Sequence, residues 1–260
     1  MQFRRLAWLS IALASCGGSG SPSGAIPLGQ ALDPTLPTCG GTELPKTDYT
    51  ICHQDDWLIP EWVGYVLTAQ DLEGTASRTD DYRPDPDLPV GHRAELSDYD
   101  GSALDRGHMA PAGDFTRNEE AMSETFFLSN MAPQEPSFNR GPWKDLEMYV
   151  RGLVTRAGQA KIFAGNLFLN GNGQPTDPQR RIGTDGVAVP THCFKLLVAR
   201  YDNGDAIGLA FLGANAYPGG DWRTFQTTID DVETLTGLDF FDELPEDVSI
   251  QLEAAKPPLP

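Results

Sequence analysis

Asp105-Arg106-Gly107-His108 places a cation, a glycine and a titratable base within four residues. Arginine presents a planar fork of donors that matches phosphate oxygens. Histidine exchanges a proton near neutral pH, because its unperturbed pKa is about 6.5. Glycine allows a tight turn or a close approach of backbone to a ligand. Together these residue types suit attack by water on a phosphodiester. A lone tetrapeptide is more often a turn with an exposed arginine and a hydrogen-bonded histidine, so the weight falls on the residues downstream of it.

Beyond the tetrapeptide come Asn130-Met131-Ala132-Pro133-Gln134, then Asn139-Arg140-Gly141-Pro142-Trp143, then Leu146-Glu147. This ordered series resembles the DNA/RNA non-specific endonucleases, the ββα-metal nucleases, over about residues 57–245. The resemblance implies an α+β fold with a central β-layer and flanking helices. It implies hydrolysis of DNA and RNA, without sugar or sequence preference, to 5′-phosphorylated products. His108 is then the general base. Asn139 is the direct metal ligand, and Glu147 holds the ion through its waters. The amide oxygen of Asn139 suits Mg²⁺, with Mn²⁺ as a substitute. Arg106 and Arg78 clamp the phosphate oxygens, with Arg83 as a nearby competitor to Arg78. Asn130 orients His108 or the substrate and is grouped with the catalytic residues. Asp105 and Glu135 are local acids without a settled role, with fixing Arg106 as the simplest expectation for Asp105. His53, His92 and His192 read as structural.

Charge argues the other way. The chain carries a net −18. Removing residues 1–15 deletes Arg4 and Arg5 and no acid, which takes the charge to −20. A surface of that sign does not adhere to nucleic acid. Two readings therefore stand: an enzyme that binds weakly and cuts, and a non-catalytic envelope protein that binds nucleic acid or another partner on a nuclease scaffold. Paired zinc ligands, a phosphate-cradling P-loop and a dinucleotide fingerprint are all missing from the sequence. Contacts confined to phosphate carry no base information, so sequence-specific DNA binding is not expected. Oligomeric state is open.

Residues 1–15 read as a signal peptide: Arg4 and Arg5, then an apolar run from Leu6 to Ala14 that is too short to span a bilayer. Leu13-Ala14-Ser15-Cys16 resembles a lipobox, with lipidation at Cys16 and membrane attachment through that lipid. Glycine at position 17 favours the outer membrane of the cell envelope. Among the other cysteines, Cys39 and Cys52 flank a turn-rich segment and are the favoured disulfide. Cys193 lies in an apolar run that suits a buried thiol. Three single pairings remain open.

Residue pattern gives the framework around these groups. Residues 16–41 read as a tether rich in Gly, Ser and Pro, 42–250 as one domain, and 251–260 as a mobile Pro-rich tail. Alternation predicts a strand over 61–68, and Pro and Asp predict a loop over 77–87. Thr116 with Glu119 has capping-box spacing for a short helix. Residues 126–129 read as a strand ending at Asn130. Pro142 suits the first turn of a helix whose apolar spacing runs to about Arg156, with Gly158 as its stop. Strands are expected over 161–168, 190–198 and 206–212, the last two joined across Asn203-Gly204. Thr228 caps a helix that Gly237 ends.

Overall fold

A computed structural model describes residues 21–28, 30–216 and 220–260. The expected signal peptide and the expected lipidation site at Cys16 lie outside the described residues. Twelve strands are seen there: β1 Ile26–Pro27, β2 Thr42–Pro45, β3 Thr50–Gln54, β4 Ile59–Thr68, β5 Asp105–His108, β6 Met131–Gln134, β7 Gln159–Leu167, β8 Arg181–Ile182, β9 Val187–Ala188, β10 His192–Arg200, β11 Asp205–Ala214 and β12 Gln226–Thr227. The α-helices are α1 Glu119–Glu124, α2 Pro136–Phe138, α3 Lys144–Ala157, α4 Ile229–Thr236 and α5 Glu246–Glu253. No described helix is long and apolar enough to cross a membrane.

The main sheet is antiparallel, in the order β1-β11-β10-β7-β4-β3-β2, with β12 added on β11. Its central strands are buried on both faces, so β7 and β10 read as nearly continuous apolar runs. Alternate residues serve different layers. Ile162, Ala164, Cys193 and Leu197 face one core with α3, Phe138 and Trp143. Phe163, Leu167, Phe194, Leu196 and Val198 face a second core with α4 and α5. The hairpin of β5 and β6 lies off this sheet, on the α3 side, with His108 opposite Met131 and Gly107 opposite Ala132.

Several expectations shift. The short helix is capped by Asn118, whose side chain accepts from the amides of Glu120 and Ala121, whereas Thr116 donates to the Asp71 carbonyl. Residues Leu128–Asn130 form a 3-10 turn, and the strand begins only at Met131; that segment leaves Phe126 and Leu128 free to pack inward in place of forming a ladder. Pro142 lies inside a π-type turn, Asn139–Trp143, which breaks at Gly141 (φ −108°, ψ −116°) before α3 starts. Gly158 does end α3, at φ 105°, and the Thr228 and Gly237 ends of α4 are as expected.

The two ends of the described chain are packed down rather than loose. β1 pairs with β11, and Leu28 and Leu32 are buried against the α4–α5 core. Cys39 and Cys52 form a disulfide that ties this segment to β3, and Cys193 is a buried free thiol. At the other end Gln226 donates to the Pro257 carbonyl, and Leu259 packs on the α3 core. Burying leucine side chains of this kind contributes about 1.5–3 kcal/mol each relative to exposure, enough to hold a short Pro-rich segment down.

Candidate active site

β5 is short because it ends in a change of direction that a single side chain enforces. Asn130 is fully buried. Its Oδ1 accepts from the amide of Ala110, and its Nδ2 donates to the carbonyls of Ala110 and Thr125. The backbone carbonyl of Asn130 accepts from Met109. The side chain is thus fully engaged with the chain that leaves His108 and does not enter the cleft. Of its two expected roles, orienting His108 or orienting the substrate, these bonds fit the first, and Asn130 is absent from the cleft lining.

The glycine of the motif also has a different reason from the expected one. An added Cβ at Gly107 would sit 2.0 Å from Oε1 of the buried Gln134 across the hairpin. Gly107 is therefore small to admit a core side chain, not to approach a ligand or to turn.

His108 lies between the rings of Tyr82 and Phe126, at 5.9 and 5.0 Å between centroids, both edge-on. Such contacts fix the imidazole plane. Its Nε2 is buried and has no hydrogen-bond partner among the described residues. Burial first, then the positive charges of Arg78 and Arg106, push its pKa down to about 3. The ring is neutral through the physiological range.

A cleft of about 500 Å³ opens in front of it, lined by Arg78, Arg106, Asn139 and Glu147 as well as His108. Five residues spread from position 78 to 147 thus share one wall-to-wall site. Three more cations line it: Arg140, Lys144 and Arg151. Among the described residues, Glu147 is the only acid in that lining. An acidic chain has concentrated positive charge at one place, which answers the objection raised by its net charge.

Each cation is held differently. Arg106 stacks over Tyr82 at 4.3 Å and has no carboxylate partner among the described residues. Arg78 pairs with Asp80 at 2.7 Å, donates to the Tyr82 hydroxyl and covers Phe126. Arg83, its competitor in sequence, bonds Asp81 and Ser123 and stacks on Phe127, outside the cleft lining. Arg151 is aimed by Asp114, which also accepts from Tyr65. Asp105 does not fix Arg106, contrary to expectation. Its two oxygens hold the Arg140 guanidinium, and Oδ2 also accepts from Asn139 Nδ2 at 2.9 Å. Glu135 pairs with Arg180. His53 bonds a backbone carbonyl, His92 pairs with Asp55 and His192 bonds Thr191.

Arg140, Lys144 and Arg151 were not identified from the sequence. The signal was present for the helix pair: Lys144, Glu147 and Arg151 recur at helical spacing and share one face of α3. The apolar stripe of the same helix drew the reading instead.

The donor set suits a hard cation. Because Asn139 gives its amide nitrogen to Asp105, its Oδ1 is left as a neutral acceptor toward the cleft. No hydrogen-bond donor reaches the Glu147 carboxylate among the described residues. Burial raises the Glu147 pKa to about 7, against the opposing pull of Lys195. A carbonyl oxygen, a half-buried carboxylate and space for water suit a hard divalent cation that keeps several of its waters.

Comparison with known proteins identifies the family. The profile of the DNA/RNA non-specific endonucleases matches residues 29–247. The chain belongs to that family. Nuclease C1 of Cunninghamella echinulata var. echinulata is 39% identical over 212 residues, covering 77% of this chain and 83% of its own. A nuclease of Nostoc sp. is 33% identical over 248 residues, covering 90% and 83%. The human mitochondrial nuclease EXOG is 36% identical over 245 residues, covering 88% and 66%. The chain spans 63% of the zebrafish (Danio rerio) nuclease EXOG that it matches at 38% identity. A crystal structure of the EndoG/EndoGI complex superposes with a TM-score of 0.73 at 30% identity, covering 82% of this chain and 89% of that one. The endonuclease family fold is accordingly the ββα-metal fold, with β5, β6 and α3 as its ββα unit.

Proposed function

We propose that this chain is a magnesium-dependent endonuclease that hydrolyses DNA and RNA without regard to sugar or sequence. The observation that carries the reading is the cleft that unites Arg78, Arg106, His108, Asn139 and Glu147. Arg106, free of any carboxylate among the described residues, and Arg78 bind the non-bridging oxygens of a phosphate and stabilise the charge that grows there. His108, kept neutral, takes a proton from the attacking water. Its Nε2 is enclosed, so Nδ1 is the nitrogen that serves the cleft. Asn139 Oδ1 and Glu147 hold the cation, directly and through water. A magnesium ion bound there supplies charge neutralisation at the phosphate and at the leaving oxygen, and Mn²⁺ is its substitute. The products carry 5′-phosphates. Because the cleft meets phosphate and not base edges, sequence selection is absent.

We also propose that Cys16 carries the lipid that attaches the chain to the cell envelope, at the outer membrane. Mass spectrometry of chain purified from membranes tests this; an unmodified Cys16 in that fraction rejects it.

Plasmid nicking by the 17–260 chain, with Mg²⁺ or EDTA and beside His108→Ala, tests the activity. Nicking that needs Mg²⁺ and drops about 10²–10⁴-fold in the variant is the expected result. If no divalent metal supports cutting while oligonucleotide still binds at low salt, the non-catalytic binding reading takes its place.

A further inference from the structure

The second core carries its own set of hard ligands, on the opposite face of the sheet from the cleft. One carboxylate oxygen each of Asp230, Glu233 and Glu253 lies within 4.8 Å of the other two. Asp230 and Glu233 are three residues apart on α4, and Glu253 is the last residue of α5. Three acids from two helices thus converge on one point.

Their surroundings do not neutralise them. No Lys or Arg forms an ion pair with any of the three among the described residues. Glu233 accepts from the Phe240 amide at 2.8 Å through Oε1, which leaves Oε2. Glu253 is only 8% exposed. Its Oε2 accepts from Ser249 at 2.9 Å, while its Oε1 is buried with no hydrogen-bond partner among the described residues. An unpartnered buried carboxylate oxygen is costly, and the cost is compounded by like charges. Asp239 adds to them: its charge, with that of Asp230, raises the pKa of both glutamates, after burial as the main cause.

We propose that Asp230, Glu233 and Glu253 bind a calcium ion that clamps α5 onto α4. Calcium takes six to eight oxygen ligands at about 2.3–2.6 Å, so oxygens on opposite sides of it lie about 5 Å apart. The three carboxylate oxygens, all within 4.8 Å of one another, fall inside that span. Asp230 is exposed and leaves the remaining positions to water. Magnesium, which demands a tight octahedron and dehydrates reluctantly, fits such a loose all-carboxylate set less well. The clamp bears on the sheet directly. α5 lies so close to β11 that an added Cβ at Gly208 would meet the Leu252 carbonyl at 2.6 Å. Holding α5 down therefore closes the core over β11 and β1.

The test uses the full chain stripped of metal with EDTA and dialysed. Its melting temperature is measured with millimolar calcium chloride, with magnesium chloride and with neither, beside Asp230→Asn, Glu253→Gln and Asn139→Ala. Calcium is expected to raise Tm by ~5 °C, and magnesium by clearly less. Asp230→Asn and Glu253→Gln lose the shift, while Asn139→Ala, in the cleft, keeps it. Without metal, Glu253→Gln melts no lower than wild type, because the change removes a buried charge. Asp230 is exposed, so Asp230→Asn decides the matter should Glu253→Gln fold poorly. Absence of a calcium shift in the wild type overturns the proposal. So does a shift that persists in Asp230→Asn, or one that vanishes in Asn139→Ala.

Discussion

His108 and Glu147 face the same cleft, and their environments move them in opposite senses. Burial and two arginines hold His108 at about 3, so it is a free base at any working pH. An unperturbed imidazole would titrate at about 6.5 and set an acid limb there; the buried setting moves this histidine out of that range. Glu147, pushed up to about 7, is the group that titrates there. In the proposed role it would hold a cation only as the carboxylate. Turnover should therefore fall as pH drops through about 7, and the midpoint should move to lower pH as Mg²⁺ is raised, since metal and proton compete for one carboxylate. A midpoint that ignores Mg²⁺ concentration would return the limb to His108. Stability gives an independent reading. The folded pKa of Glu147 lies above its unfolded value of about 4.5, so the native state binds the extra proton and loses stability as pH rises from there to about 7. In EDTA, Glu147→Gln should melt above wild type at pH ~8 and level with it at pH ~4, even though it cannot support cutting.

At the scale of elements, the site depends on how two short segments end. β5 turns away after His108 because Asn130 captures both backbone groups of Ala110. Asn130→Ala leaves an amide and two carbonyls without partners and should cost about 2–3 kcal/mol in urea unfolding. It should also lower kcat with little change in KM, because His108 shifts while the phosphate clamp stays. An equal loss in KM would mean that Asn130 reaches substrate after all. The break at Gly141 matters in the same way. It separates Asn139 from α3, so that Asn139 can face Asp105 while Glu147 faces the cleft from the helix above. A continuous helix would place the two residues by periodicity alone, which is how the spacing of eight residues suggested a shared side. They do share the cleft, but through a kinked turn.

For the whole molecule, the charge paradox is one of distribution. A net −18 is compatible with a cleft that gathers five cations. The surface elsewhere repels a polyanion, which favours rapid release over tight binding. The amino-terminal segment contributes to the body of the protein rather than hanging from it: β1 completes the sheet edge, and the Cys39–Cys52 disulfide fastens the path between them. That disulfide closes a loop with a sequence separation of 13, for which chain entropy gives about 3 kcal/mol. Replacing both cysteines with serine should lower Tm by ~5–10 °C while leaving nicking at moderate temperature intact. An unchanged Tm would show that packing of Leu28 and Leu32 holds the segment alone.

Much was legible before any coordinates, because it depends on local chemistry. Apolar periodicity, Asn203-Gly204, Gly158 and the Thr228–Gly237 pair marked β10, β11, α3 and α4 to within a few residues. Arg78, Arg106, His108, Asn139 and Glu147 could be named because the ordered motifs that carry or flank them resemble one nuclease family. Other features rest on neighbours distant in sequence and emerge only when the chain is folded. The choice of Arg78 over Arg83 turns on Asp81, Ser123 and Phe127. The pairing of Asp105 with Arg140 and not Arg106, and the withdrawal of Asn130 into the backbone, are settled by hydrogen-bond partners that no spacing reveals. The docked ends arise from a sheet with two faces to cover, so that a Pro-rich segment with a few leucines becomes part of the core. The neutrality of His108 comes last in that order, since desolvation exists only once Tyr82 and Phe126 have closed around the ring.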